Sequence, residues 1–231
     1  MEPKVLTSLQ ALVLSILFEH GLGDKGYYFT GGSALAEFYL QHRYSDDLDF
    51  FTRSDRSIRI DGAEFKQMLT FRNFDVLSSN EADEFVRYFV ESRDTKSEPL
   101  KIEFARDAKA QVSPFKKVGN IVVDSFEDIA VNKICAILGR EPPEPKDFVD
   151  LYFILHESLF SLEYLVERAR EKEAAFDNED GILFFATNLL RVSEFSFLPR
   201  MIKPLTLDSL QSFLLPKAKE MIRRLRPTGQ I

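Results

Sequence analysis

The sequence is short of several things, and each shortage removes a class of explanation. It has one cysteine, Cys135, in 231 residues. That excludes an internal disulfide and a cysteine-rich zinc site, and it fits a reducing compartment. Tryptophan is absent. No apolar run approaches the roughly 20 residues that cross a bilayer. The opening Met-Glu-Pro-Lys leads into a helical pattern containing Gln10 and Glu19, which does not read as a signal peptide. A surplus of positive charge is missing too: 30 Lys and Arg stand against 37 Asp and Glu, a net charge of −7. Bulk positive charge is therefore not what would hold this chain on nucleic acid, which leaves room only for a local basic patch. The sequence contains neither internal repeats nor low-complexity tracts. The expectation is a soluble, cytoplasmic protein with no membrane contact.

What is present is ample core material, with 45% hydrophobic residues and 22 Phe. The length suits one compact unit with an appended subdomain. Val5, Leu9, Leu12, Val13, Ile16 and Leu17 recur at helical spacing, and Gly21 and Gly23 end that run. Residues 27–30 read as a short strand broken by Gly31 and Gly32, followed by a helix over 33–40. Residues 47–51 alternate polar and apolar side chains, as a half-buried strand does. Residues 61–71 read as helix, and 74–77, 85–90, 100–105 and 121–123 as strands. Hairpin connections around Asn80 and over 93–99 point to a partly antiparallel sheet. From Ser125 onward the stripes are helical and punctuated by prolines. The expected organisation is an α/β core over 1–124, then a helical part over 125–231 that completes an active-site cleft.

Two short motifs lie at the centre of the first part. The earlier one is Phe29-Thr-Gly-Gly-Ser-Ala-Leu-Ala, and the later one is Arg43-Tyr-Ser-Asp-Asp-Leu-Asp-Phe-Phe. On a strand, Asp47 and Asp49 face one way while Leu48 and Phe50 face the other. Neighbouring carboxylates repel, so something must neutralise them. A hard divalent ion such as Mg²⁺, which prefers carboxylates together with phosphate oxygens, would do so. Gly31 and Gly32 remove the Cβ atoms that block close backbone approach, and Ser33 adds a hydroxyl at a helix start, a natural place for phosphate. Either motif alone reads as a turn or a solvated strand edge. Their order, with thirteen residues between Ser33 and Asp47, leaves room for one helix between cradle and clamp. A calcium loop counted from Asp47 would need Gly and Glu where Thr52 and Ile58 stand, and the stretch before Asp47 is too polar for a haloacid-dehalogenase phosphatase.

A third carboxylate comes from Leu100-Lys-Ile-Glu-Phe. Leu100, Ile102 and Phe104 share one face and Glu103 the other, either as a third metal ligand converging on the aspartates or as a surface Glu paired with Lys101. In the helical part, Lys133 falls inside the apolar stripe of Phe126, Ile129, Ala130, Ile134 and Ile137. A lysine there must be paired or face a polar cleft. Asp147 and Asp150, three apart at the next helix start, suit that helix end by themselves, but a Lys133–Asp147 pair across the two helices would explain both positions at once.

Gly-Gly-Ser-Ala-Leu-Ala, Arg-x-Ser-x-Asp-Leu-Asp, Lys-Ile-Glu, Asp-Ile-Ala-x-Asn-Lys and Lys-Asp-Phe-x-Asp-Leu-Tyr, in that order over residues 27–155, resemble the AbiEii/AbiGii toxin family of nucleotidyltransferases. The resemblance implies an α+β fold, a polymerase beta-like nucleotidyltransferase core with a mixed sheet followed by a C-terminal helical bundle. It implies that Gly31, Gly32, Ser33, Arg43, Ser45 and Lys133 bind the nucleotide. Asp47, Asp49, Lys133 and Asp147 are then catalytic, with Asp47, Asp49 and Glu103 around Mg²⁺ or Mn²⁺. The implied reaction is transfer of a nucleotide from an NTP to an acceptor hydroxyl, tRNA or another RNA in some members, by a toxin with a cognate antitoxin. One departure is Lys146, where the family commonly has Arg, which loses a bidentate fork. A small-molecule acceptor, or a non-catalytic nucleotide- or protein-binding module of the same fold, are the alternatives. The basic run Lys217, Lys219, Arg223, Arg224 and Arg226 against Glu220 agrees with an RNA partner and equally with a solvated helix face.

Overall fold

The computed structural model describes residues 5–95 and 98–226. The first four residues, and part of the expected 93–99 connection, lie outside them. Two compact units result. The first joins the described residues up to Ala108 with Pro114–Ser125, and the second joins Lys109–Ser113 with those from Phe126 onward.

The first unit opens with α1 (Ser8–Glu19), whose start is fixed by a reciprocal cap: the Thr7 hydroxyl accepts from the Gln10 amide while the Gln10 side chain accepts from the Thr7 amide. Then come β1 (Tyr27–Thr30), a short α2 (Gly31–Leu35) and β2 (Leu48–Thr52). The chain continues through α3 (Ile58–Phe71), β3 (Phe74–Glu81), β4 (Phe85–Ser92), β5 (Leu100–Arg106), β6 (Lys116–Val118) and β7 (Ile121–Val123). The expected 33–40 helix starts two residues early and widens to a π turn over Ala36–Leu40, ending at Gln41 with φ 49°.

All seven strands form one mixed sheet in the order β3-β4-β5-β2-β1-β7-β6. At its centre β2 runs antiparallel to β1 and parallel to β5. Alternation sorts the faces. Tyr27, Phe29, Phe50, Tyr88, Ile102 and Phe104 are buried, with Phe50 and Phe65 of α3 both stacked on Phe104 and Phe18 of α1 edge-on to Phe50. That core occupies one face. The opposite parity leaves Arg87, Asp49 and Glu103 on the other face, and this is what positions the site.

In the second unit the named elements from Phe126 on are helices: α4 (Phe126–Gly139), α5 (Pro145–Glu157), α6 (Leu162–Ala169), α7 (Glu179–Leu190) and α8 (Leu207–Leu225). Residues 109–113 belong here because the buried Asp128 carboxylate accepts from the amides of Val112 and Ser113 at 3.0 and 2.7 Å. The Lys172 ammonium lies 2.6 Å from the same group. Burial pushes the Asp128 carboxyl up, but Lys172 and the two amides outweigh it and hold it below the usual carboxylate range. A depressed folded-state pKa contributes stability that is present above the unfolded value, about 3.9, and lost as pH falls through the folded one. Asp128→Asn is therefore expected to melt lower at pH 7 and to lose less stability than the wild type between pH 5 and acid, as read from denaturation midpoints across that range.

Candidate active site

The site is easiest to build outward from Asp49. On β2 it stands opposite Thr30 of β1 and opposite Glu103 of β5, and Glu103 is in turn opposite Arg87 of β4. In-register neighbours share a face, so four polar side chains form a row across four strands. Thr30 is oriented by its hydroxyl, which donates to the buried Asp124 carboxylate at 2.7 Å.

The Gly-Gly turn presses against this row. Gly31 has φ +76°, and a Cβ there would overlap the Asp49 carboxylate. At Gly32 a Cβ would meet Arg43 Nη2 at 2.5 Å and Ser45 Oγ at 3.1 Å. Only glycine accommodates both the left-handed backbone at 31 and the approach of these groups. Gly31→Ala is expected to cost about 1–3 kcal/mol of stability and to displace Asp49; an unchanged thermal melt would contradict that packing. Arg43 is almost fully buried, with Nη1 donating to the Tyr44 carbonyl at 2.9 Å. Ser33 is buried, and its hydroxyl donates to the Asp47 carbonyl. That bond ties the helix start to the residue preceding β2. What Ser33 offers a ligand is therefore its backbone rather than its hydroxyl.

Asp47 lies just outside β2, one residue short of the strand expected from alternation. Lys101 Nζ lies 2.8 Å from Asp47 Oδ2 and 3.3 Å from Glu103 Oε1, so both carboxylates meet at one ammonium. Arg87 Nε donates to the same Glu103 oxygen at 2.6 Å. Burial pushes the Lys101 ammonium down, and the hydrogen bond and charge of Asp47, with Glu103, more than reverse this, so its net shift is upward. Among the described residues no group of three or more His, Cys, Asp and Glu side chains stands ready to hold a metal. Glu103 lies in register beside Asp49 on the neighbouring strand and is held by Arg87 and Lys101.

The second unit contains the other predicted residues. Lys133 is buried in α4 among Ile129, Ala130, Ile134 and Ile137. Its ammonium lies 2.9 Å from Asp147 Oδ1 and 2.7 Å from Asp150 Oδ2, both buried in the first turns of α5. Pro145 starts that helix at a position where its missing amide costs nothing. Arg140, just beyond α4, also donates to Asp147. Lys146 turns instead to Glu144 at 2.6 Å, and the guanidinium that reaches Asp147 is that of Arg140. Arg87 and Arg140 are the functional candidates the sequence reading missed. The parity of β4 signals the first, and nothing local signals the second. The C-terminal basic run is partly neutralised: Arg223 and Arg224 both bind Glu220 in α8, and these bonds hold its carboxyl down at about 2.

This fold, a mixed seven-stranded sheet followed by helices, is shared with solved nucleotidyltransferase structures. A structure described as a putative nucleotidyltransferase from H. pylori superposes with TM-score 0.61 and 20% identity, covering 98% of this chain and 100% of that one. JHP933 from Helicobacter pylori gives 0.58 and 22%, covering 95% and 94%. The nucleotidyltransferase toxin MenT4 from Mycobacterium tuberculosis H37Rv gives 0.59 and 15%, covering 95% and 83%. An uncharacterised protein of Aquifex aeolicus is 30% identical over 156 residues, 65% of this chain and 68% of that protein. The family model described as "Nucleotidyl transferase AbiEii toxin, Type IV TA system" matches residues 13–226. The chain belongs to that family.

Proposed function

We propose that the protein is a metal-dependent nucleotidyltransferase toxin that moves a nucleotide from an NTP onto a hydroxyl of RNA, tRNA being the expected acceptor. The observation that carries this is that Asp49 stands in register beside Glu103 and against Gly31, while Asp47 and Glu103 share the Lys101 ammonium. These hard oxygen donors fit Mg²⁺ or Mn²⁺, and the spot already attracts a cation, the Lys101 ammonium. A divalent ion bound by Asp47 and Asp49, with Glu103 as third ligand, supplies charge neutralisation for the triphosphate and activation for the attacking hydroxyl.

The remaining work falls to the chain's own groups. The backbone at Gly31 to Ser33 and the Arg43 guanidinium, with Ser45 beside them, hold the phosphates. Ser33 ties down the Asp47 backbone through its carbonyl. In the second unit, Lys133, whose ammonium is held by Asp147 and Asp150, and Asp147 itself are the further catalytic residues that the family resemblance implies. In support of RNA, α8 exposes Lys219, Arg223 and Arg224, with Arg226 at its end, although the chain as a whole is acidic. A cytoplasmic location and a cognate antitoxin complete the reading. Among the described residues no helix is long and apolar enough to cross a membrane.

The test is to incubate the protein with each NTP labelled at the α-phosphate, a divalent cation, and either total cell RNA or a protein-free metabolite fraction. Label joining RNA is the expected result. Label joining only the metabolite fraction would point to a small-molecule acceptor. Binding of nucleotide without any transfer would make this a non-catalytic module.

A further inference from the structure

We propose that Lys101 is a built-in counter-cation of the carboxylate cluster, competing with the divalent ion for Asp47 and Glu103 and keeping the chain's intrinsic metal affinity low. This rests on the metal-binding reading above and adds a residue that reading does not use.

Lys101 sits two residues before Glu103 on β5, so both side chains leave the strand on the same face. Its ammonium lies between Asp47 Oδ2, at 2.8 Å, and Glu103 Oε1, at 3.3 Å. Those are oxygens a divalent ion needs. An ammonium and a divalent ion compete for them, because like charges repel at that range. Asp47 follows a backbone already pinned by Ser33, and Glu103 is independently held by Arg87 at 2.6 Å. The lysine side chain is 29% exposed, and its flexible four-carbon stem lets the charge swing to solvent or to a ligand phosphate when the oxygens are taken. Metal binding therefore includes the loss of two ion pairs, and removing the lysine charge removes that loss.

The experiment is a Mn²⁺ titration without nucleotide, following free Mn²⁺ by electron paramagnetic resonance, on wild type, Lys101→Met, Lys101→Gln, Lys101→Arg and Asp49→Asn. Lys101→Met is expected to bind Mn²⁺ about tenfold tighter than wild type, the scale of removing one nearby cation from a partly exposed site. Lys101→Gln should do likewise if the methionine variant folds poorly, and Lys101→Arg, which keeps the charge, should stay near wild type. Affinity that is unchanged or weaker in both neutral variants, while Asp49→Asn abolishes binding, would overturn the counter-cation role and leave the metal site standing. Absence of Asp49-dependent binding in every form would overturn the metal reading and this inference with it.

Discussion

Replacing Lys133 by alanine is expected to lower stability by about 3–5 kcal/mol, the usual consequence of removing one partner from a buried ion pair. Two buried carboxylates, those of Asp147 and Asp150, approach this one ammonium within 2.9 Å. Arg140 reaches Asp147 as well, but from a side chain that is 38% exposed. Pairing with Asp147 alone would already leave one buried carboxylate with less compensation, and the presence of Asp150 leaves two facing each other. Lys133→Met combined with Asp147→Asn and Asp150→Asn should recover much of the loss, because it removes the charges together. Chemical denaturation of the single and triple variants checks both statements. Where the triple variant is folded, its transfer activity is expected to be down by about 100-fold or more, the scale of one lost electrostatic partner. Near-normal transfer in that folded variant would make Lys133 purely structural.

Asp49→Asn is expected to act the other way round, with a large loss of activity and little change in fold. Asn keeps the shape that lies against Gly31 but removes the charge that a metal requires. Transfer should fall by about 10²–10³-fold or more, comparable to losing one preorganised electrostatic contact at a reacting centre. Asp49 is only half-buried on the open face and stands in register beside another carboxylate, Glu103. Because Asn keeps the side chain's shape at this half-buried position, the melting temperature is expected to stay near that of the wild type. Steady-state transfer and thermal melting, measured on the same preparation, separate this outcome from general unfolding.

The contrast between these two residues reflects what sequence could and could not convey. Parity along a strand is a local property, so Leu100, Ile102 and Phe104 on one side and Glu103 on the other were legible, as were Asp47, Asp49 and the glycines before them. The Lys133 anomaly was legible for the same reason, since helical spacing puts it in an apolar stripe. What parity does not encode is which strands become neighbours. The parallel pairing of β2 with β5 that sets Asp49 opposite Glu103 joins residues more than fifty positions apart. β6, with the exposed sequence Lys116-Lys117-Val118, has no alternation to reveal it and exists because β7 supplies its hydrogen bonds. β3 runs on through Ser78, Ser79 and Asn80, polar residues that read as a turn, because β4 pairs with it across a bulge at that point. Lys101 was visible as a partner for Glu103. Its bond to Asp47 was not, since that depends on how the chain enters β2.

If the Asp47–Asp49 cluster directs attack at the α-phosphorus of an NTP, one NTP carrying distinct labels at the α and γ positions reports it most directly, with wild type and Asp49→Asn in parallel. The α label is expected to join the acceptor while the γ label leaves as pyrophosphate in equal amount, and both signals should collapse in Asp49→Asn. Transfer of the γ label to the acceptor, or α-label transfer undiminished in Asp49→Asn, would contradict it.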